Sequence, residues 1–586
     1  MKSLVFDIEA NGFNPDVIFC IVIVDVDTGE TYEYDPQQID EAVAHLQTAD
    51  KLIGHNIIGY DLPVIHKIKG VDLSEHAKVL DTLVLSRLFN PTREGGHSLD
   101  AWGQKLGYNK IKYDNFEYFE PEMMTYCVRD TKLNAKVFKC LRQEARGFSK
   151  QSIELEHGVY SIIQEQIRNG FKLNVPYAME LVAEITAELV AVESEVHLTF
   201  KPVVTKTKIE PSYTKIGALS KMGKIAGQTK RVRLSDEEYT MLQNPKEKYI
   251  IRTESTPFNL GSRKQIGEYL VRFGWKPVKL TPTGQPIVDE STLEKVKNIP
   301  EAQLIAKYLM LQKRVAQIKS WLESTKSNDR VYGYVNSNGA VTGRMTHSEP
   351  NMAQIPSSNS PYGKECRSCW TVEDNKRLVG IDASGLELRM LAHYMNDEEY
   401  THEILNGDIH TANQKAAGLE SRNQAKTFIY AFLYGAGDAK IGSISGGNRA
   451  TGRRLKQRFL TNTPSLATLK DRVSRASKKG WLKGLDGRKL FVRSEHSALN
   501  TLLQGAGAIV MKEALVILNK KIIASGVDAK FVANVHDEWQ IETSDKDADT
   551  VGQLGIDAIV EAGQNLNMRC PLDGDYNVGY NWSETH

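Results

Sequence analysis

Three β-rich runs in this chain carry acids where a buried strand leaves no room for unpaired charge. Asp7 and Glu9 form a D-x-E in LVFDIEA, Asp382 ends LVGID, and Asp537 and Glu538 sit in VANVHDEWQ. Desolvating a carboxylate is expensive unless it is paired. Taken singly, each acid is ordinary as a capping or turn residue. Taken together, carboxylates on adjacent strands are what hard divalent cations require. Mg²⁺ takes oxygen ligands, usually one or two carboxylates together with substrate phosphates. Two such ions can acidify an attacking hydroxyl and neutralise a leaving oxygen.

The rest of the chain must scaffold these acids. At 586 residues it is too long for one core and is expected to divide into several domains. Residues 1–27 cluster apolar residues as strands do, and helical patterns follow in YDLPVIHKI and from Glu122 to Leu141, an α/β beginning. Helical patterning runs from about Ser149 to Thr199. A stretch poor in large apolar residues follows to about Thr256 and reads as an insertion. Residues 201–233 hold nine Lys or Arg against one acid, Glu210, which fits contact with a polyanion or a solvated loop. Helical segments resume at Ser262–Phe273 and Ser291–Leu322, and strand-like runs begin beyond Asn328. Long helices are expected at Arg422–Tyr434 and Asn500–Ala524, and FVANVHDEWQIET reads as a hairpin.

Composition excludes several classes. Hydrophobic residues at 41% and charged residues at 25% are ordinary for a globular protein. No apolar run approaches the ~20 residues of a membrane span, and the N-terminus has acids too early for a secretory signal. The chain is therefore expected in a cytosol, without a membrane partner. Six cysteines in such a length are no disulfide framework, and Cys366-x-x-Cys369 lacks the further ligands of a zinc site. Net charge of +1 is uninformative.

Two further patterns bear on chemistry. Arg422, Lys426, Tyr430 and Tyr434 recur every four residues and share one helical face. Cations there suit a triphosphate, and an aromatic ring can stack on a sugar or base; a solvated basic edge beside a core-facing aromatic edge has the same spacing. In the N-terminal part, Asn56-x3-Tyr60-Asp61 and Tyr126-x3-Asp130 follow the D-x-E in order. Four acids on distinct elements can hold two metals, and a tyrosine can orient an attacking water.

GIDASGLELRMLAHY, the R-x3-K-x3-Y-x3-YG helix and VHDE resemble motifs A, B and C of family A DNA polymerases, in that order. VTGRMTHSEPNMAQIP and ALNTLLQGAGA resemble two primer–template segments of the same family. DASGLELR, EILNGDIHT, AKTFIY and LYGAG are most like the T-seven-like podovirus subgroup. The N-terminal set resembles the three motifs of the DEDDy 3′→5′ exonucleases. The resemblance implies a ribonuclease-H-like α/β exonuclease domain at 1–148 ahead of an α+β right-hand polymerase. Its thumb would lie at 149–330 with a basic insertion at about 201–256, its palm at 331–400 and 491–586, and its fingers at 401–490. No 5′-nuclease domain is expected ahead of Asp7.

The resemblance also implies roles. Asp382 and Asp537 would ligate two Mg²⁺, with Mn²⁺ as a substitute, and Glu538 would support them. Arg422, Lys426 and His410 would hold the dNTP triphosphate, with Lys426 also protonating the pyrophosphate. Glu387 would exclude ribonucleotides, Tyr430 would sense the 3′ position of the sugar, and Tyr434 would pack by the templating pair. Arg344, Asn351, Gln354, Asn500, Gln504 and His536 would touch primer–template DNA. Asp7, Glu9, Asp61 and Asp130 would hold two ions for proofreading, with Tyr126 beside them. The expected activity is that of a replicative DNA-directed DNA polymerase with 3′→5′ exonuclease, phage-encoded and working in the cytoplasm of a bacterial host. A repair polymerase, or an exonuclease or DNA-binding protein with a weak polymerase half, is the alternative. The resemblance implies host thioredoxin as a partner at the insertion; a DNA clamp needing no partner and a docking site for a helicase–primase are the other two readings. The C-terminal His586 receives no role.

Overall fold

The computed structural model describes residues 2–277 and 280–586 and divides into two compact units, Met1–Asn174 with Ser324–His586, and Val175–Glu323. The larger unit begins with a five-stranded sheet in the order Thr31–Tyr34, Ile18–Asp25, Ser3–Ala10, Lys51–Gly54, Lys78–Asp81. The first three strands are antiparallel and the last two join in parallel. Every residue of Ile18–Val24 is buried, as expected of a central, β-branched strand covered on both faces. Leu4, Phe6 and Ile8 pack on one face with helices Ile39–Gln47 and Asp61–Lys69. Val5 packs on the other with Thr82–Phe89 and Pro121–Glu144.

Helix Lys150–Asn169 connects this layer to a second core. Its Ile153 packs on the first core, while Leu155, Val159, Ile162 and Ile163 belong to the second. Long helical patterning was expected across this region, but a short strand, Phe171–Leu173, interrupts it after Gly170, whose φ of +63° ends the helix. The second core surrounds an antiparallel sheet in the order Ala529–Val535, Glu538–Ser544, Lys376–Ala383, Gly574–Gly579. The expected hairpin is present, and His536 takes φ +59° at its two-residue turn, which brings Asp537 out beside Asp382.

Helix Ala498–Ser525 lies in this core. By length and composition its region, Glu495–Ser525, could cross a membrane, and 78% of its apolar window is buried inside the protein. The expectation that no apolar stretch reaches span length is corrected here. Gln504 and Lys512 break up the apolar run in the sequence, yet both are accommodated within the fold. Burial marks this as a core helix of the larger unit.

The second unit contains helices Val175–Thr199 and Pro300–Ser324, and the basic insertion is a folded element. Its sheet runs Ile250–Thr256, Val203–Glu210, Met222–Ile225, Arg231–Arg233, all antiparallel. Ile209, Leu234 and Leu242 form a small core under it. Arg252 donates to both oxygens of Glu238, at 2.7 and 2.6 Å, pinning helix Asp236–Leu242 to the sheet. Phe200, Phe258, Tyr269 and Phe273 form a ring cluster below, with centroids 4.7 to 5.6 Å apart.

One ion network ties the larger unit together. Glu156 on the connecting helix accepts from Arg488 and, at 2.5 Å, from Lys512; Arg488 also holds Asp486 at 2.6 Å. These side chains are at most 2% exposed. Removing one partner of a buried pair strands a charge and costs about 3–5 kcal/mol, whereas exposed pairs are worth about 0–1 kcal/mol. Glu156→Ala is therefore expected to lower the melting temperature sharply. Glu154→Ala, which removes the exposed partner of Lys78 and Lys150, should leave it nearly unchanged.

Candidate active sites

The two inner strands of the second sheet put Asp382 opposite Glu538, with Asp575 on its other flank, and Ala383 N–H donates to the Asp537 carbonyl at 3.1 Å. The three acids then separate by environment. Burial pushes Asp382 up to about 7, aided by repulsion from Asp537 and Glu538. Asp537 is also raised, chiefly by burial, although His536 and Arg344 oppose the shift. Glu538 goes the other way. Burial alone would raise it, but His586 Nδ1 at 2.7 Å, Gln540 and Trp582 Nε1 at 2.6 Å outweigh that and hold it low. Both oxygens of Glu538 are thus occupied by protein donors, whereas Asp382 faces Asp537, Glu538 and Asp575, and Asp537 meets His536, Arg344 and Glu387. Carboxylates raised in this way, with neighbouring acids among their surroundings, fit divalent cations.

Helix Arg422–Leu433 starts from a capping box formed by Ser421 and Gln424. Ala425, Phe428, Ile429 and Phe432 are buried, and Arg422, Lys426, Tyr430 and Tyr434 lie on the opposite, more open face. Arg422 Nε sits 2.7 Å from Asp408, the residue that also caps helix Ile409–Ala417, so one acid positions both Arg422 and His410. His410 lies beside Tyr430, with ring centroids 6.3 Å apart, and Tyr430 stacks near Tyr434 at 6.5 Å. The Tyr434 hydroxyl donates to Glu387, which Arg344 approaches at 3.4 Å. Arg344, His536 and Asp537 line one cavity together with Ala508 and Lys512. Asn500 and Gln504 precede Ala508 at four-residue spacing on the same helix face. Asn351 uses its Oδ1 to cap the turn Met352–Gln354 and so fixes that segment, Gln354 included.

The N-terminal acids also converge. Asp7 and Glu9 share one side of their strand, with carboxylate oxygens within 4.8 Å of each other. Asp61 heads helix Asp61–Lys69 and accepts the Ile8 N–H at 3.2 Å, between them. Burial, with repulsion from the neighbouring acids, pushes Asp7 well up and Glu9 to about 8; burial, with Asp81 nearby, pushes Asp61 to about 7. Asp130 is raised by burial and keeps a buried oxygen, Oδ1, without a protein donor. Four such carboxylates with one orphaned oxygen fit a multi-metal centre. Tyr126 lies one turn before Asp130 and stacks on Tyr113 at 5.5 Å. Cys127 falls beside Asp7 and Glu9, but burial holds its thiol protonated.

Three features had no signal in the motifs. Lys110 pairs with Asp130 at 2.5 Å and lies 4.9 Å over the Tyr126 ring. Trp582 and His586 converge on Glu538 from a tail whose sequence offers only a terminal histidine. Asp575, which accepts from Ser384 at 2.8 Å, adds a further acid beside Asp382.

Residues 230–584 match the model of DNA polymerase family A. The chain is 35% identical to a DNA-directed DNA polymerase of Enterobacteria phage T3 and 34% identical to one of Escherichia phage T7, with all of each chain covered. Both alignments run over 708 positions against 586 residues here, so those relatives carry segments that this chain lacks. The POL domain of Pol1 from M. smegmatis, solved with DNA primer-template and dNTP, superposes with a TM-score of 0.77 at 17% identity, covering 100% of this chain and 96% of that one. That likeness shows the shared palm, fingers and thumb fold. Matched over more than half its length, and aligned end to end with these phage enzymes, the chain belongs to DNA polymerase family A.

Proposed function

We propose that this chain is a replicative, phage-encoded DNA-directed DNA polymerase that proofreads its own product in a bacterial host. The observation that carries this reading is the presence, in one compact unit, of two separate groups of carboxylates with raised pKa, one largely buried around Glu9, Asp61 and Asp130, the other open to solvent at Asp382 and Asp537. One of them lies within electrostatic reach of Tyr430 on the cationic helix. The names of the phage relatives support the polymerase activity. In this reading residues 1–148 are a ribonuclease-H-like exonuclease domain, 331–400 and 491–586 the palm, and 401–490 the fingers. The thumb falls within 149–330, its first helix, Lys150–Asn169, built into the larger unit.

Asp382 and Asp537 would hold two Mg²⁺, or Mn²⁺ in their place. When bound, these ions acidify the primer 3′-OH and neutralise charge on the leaving pyrophosphate. The hydroxyl gives up its proton to solvent as its oxygen attacks the α-phosphorus of the dNTP, and the bond to the bridging oxygen breaks, releasing pyrophosphate. Arg422, Lys426 and His410 bind the triphosphate, and Arg422 exchanges Asp408 for phosphate oxygens. Lys426 gives a proton to the leaving group. Glu387, tied to Tyr434, walls the 2′ side of the sugar. Tyr430 stands at its 3′ side, and Tyr434 packs by the templating pair. Arg344, Asn351, Gln354, Asn500, Gln504 and His536 follow the primer–template minor groove, where acceptors are nearly alike for all pairs. Glu538, fully satisfied by Trp582, Gln540 and His586, holds the hairpin turn that carries Asp537. At the second site Asp7, Glu9, Asp61 and Asp130 would hold two further ions, and Tyr126 orients the water that attacks a mismatched 3′ end.

The insertion supplies the seat for a processivity partner, host thioredoxin first and a helicase–primase second. Lys206, Lys208, Ile251 and Thr253 share one exposed sheet face, where Lys208 lies 4.1 Å over the Tyr249 ring.

The two sites should separate by mutation. Changing a residue that only orients a metal ligand costs about 10–100-fold, so Asp537→Ala should cost extension more than about 100-fold and spare exonuclease. Asp7→Ala with Glu9→Ala should abolish removal of a mismatched 3′ end and spare extension. Primer assays on matched and mismatched ends check both, and loss of both activities in either variant would refute two independent sites.

Stability should depend on pH and metal together. Glu9 titrates near 8 and Asp61 near 7 in the fold, against ordinary values of 4.5 and 3.8. The folded state therefore retains protons that the unfolded state loses, so these groups favour folding at low pH and lose that contribution as pH rises towards 8. The melting temperature in EDTA should accordingly fall over that window. Mg²⁺ should raise it more at pH 8 than at pH 5; equal effects at both would argue against these acids as its ligands.

Long-product synthesis on a primed single-stranded circle tests the insertion. Reduced thioredoxin should lengthen the products, and unchanged lengths would remove it as the partner.

A further inference from the structure

The connecting helix Lys150–Asn169 reaches into the turn that delivers Asp61. Tyr160, 2% exposed, donates its hydroxyl to Asn56 Oδ1 at 2.6 Å. One turn earlier, His157 Nε2 accepts the Asp81 N–H at 2.8 Å, while His157 Nδ1 lies 2.7 Å from the Ile153 carbonyl. The Asp81 carboxylate accepts from the N–H groups of Asn56 at 3.0 Å and Ile58 at 3.2 Å. The loop Asn56–Tyr60 is therefore gripped from the connecting helix twice, directly through Tyr160 and indirectly through His157 and Asp81.

Asn56 is the residue on which that loop turns. Its φ is +65°, a region that costs non-glycine residues but that asparagine tolerates. Its carbonyl accepts from Gly59 at 3.0 Å and Tyr60 at 3.1 Å, and the next residue is Asp61. A Cβ on Gly59 would come within 2.5 Å of Asn56 Oδ1, so the amide is packed down inside its own turn. From there Asp61 reaches the Ile8 N–H between Asp7 and Glu9. One line of hydrogen bonds runs from Tyr160 through Asn56 and its turn to the acid cluster.

We propose that Tyr160 is a positioning residue for the 3′→5′ exonuclease. Its hydroxyl fixes Asn56 in the left-handed conformation and so sets Asp61 against Asp7 and Glu9. This rests on the exonuclease reading above. Glu156 on the same helix anchors the buried ion network of the second core, so the geometry of the proofreading site is set in part from the polymerase side of the larger unit.

The test uses the full chain and four variants: Tyr160→Phe, which removes only the hydroxyl, Asn56→Gly, which permits positive φ without a side chain, their combination, and Asp7→Ala. Degradation of a single-stranded 3′ end, extension of a matched primer, and melting temperature are measured for each. Misplacing a catalytic group by about 1 Å can cost up to about 100-fold. Tyr160→Phe is expected to lower exonuclease kcat about tenfold, with KM within about twofold, and to raise the Mg²⁺ needed for half-maximal activity, while extension is unchanged. The double variant should be no slower than Asn56→Gly alone, because both changes break one connection. Wild-type exonuclease kcat and Mg²⁺ dependence in Tyr160→Phe, or losses that multiply in the double variant, would overturn the proposal. If Tyr160→Phe melts early, the Mg²⁺ dependence measured well below its transition decides. Full exonuclease activity in Asp7→Ala would instead sink the exonuclease reading, whatever Tyr160→Phe does.

Discussion

Buried carboxylates that face one another repel, and a fold retains them only where other interactions dictate the backbone. In the first sheet, Leu4, Phe6 and Ile8 anchor one face of the strand whose opposite side presents Asp7 and Glu9, and pairing with Ile18–Asp25, buried from Ile18 through Val24, removes freedom to slip. In the second, Asp382 is clamped between two antiparallel neighbours, and Ala383 holds the backbone of Asp537 in place. Neither strand can relieve its acids by moving. The repulsion that results raises their pKa values, and in the proposed function it would favour cation binding at each site.

The same physics separates structural acids from chemical ones. Glu156 and Glu538 are as buried as Glu9, yet both are held low. Lys512 and Arg488 surround the first, while His586, Gln540 and Trp582 surround the second. Asp7, Glu9, Asp61 and Asp382 are raised, because Lys110 beside the first two, the Ile8 N–H on Asp61 and His586 near Asp382 do not outweigh desolvation and the neighbouring acids. Sequence motifs group Glu538 with Asp537, because they are adjacent in VHDE. Hydrogen bonding divides them and ties Glu538 to Gln540 and to the C-terminal residues Trp582 and His586.

What the sequence made legible follows from range. The four-residue spacing of Arg422, Lys426, Tyr430 and Tyr434 is a property of one helix and needs no tertiary information, and the Asp537 hairpin is equally local. The three N-terminal motifs could be placed in order, but their convergence depends on the parallel crossover to Lys51–Gly54 and on the packing of Pro121–Glu144. Lys110, Trp582 and His586 meet their acids across long loops or the chain end, where no periodicity applies. The insertion was legible as basic and poor in large apolar residues. Its sheet was not, because a core of Ile209, Leu234 and Leu242 leaves too few apolar positions for a strand pattern to stand out. Helix Ala498–Ser525 illustrates the converse, since polar residues such as Gln504, Lys512 and Glu513 concealed an apolar stretch of span length.

The connecting helix shows why the two sites are not independent modules in a physical sense. Ile153 belongs to the first core, and Leu155, Val159, Ile162 and Ile163 to the second, within three turns of one helix. A helix packed on both sides cannot shift towards one core without disturbing the other, because close-packed interiors give little compliance. Its polar residues follow the same division: His157 and Tyr160 bond to the Asp61 side, and Glu156 to Arg488 and Lys512. Lys512 in turn lines the cavity beneath Asp537 and His536. Both groups of acids are thereby referred to a single helix, so the relation between them is set by its packing rather than by the length of a linker.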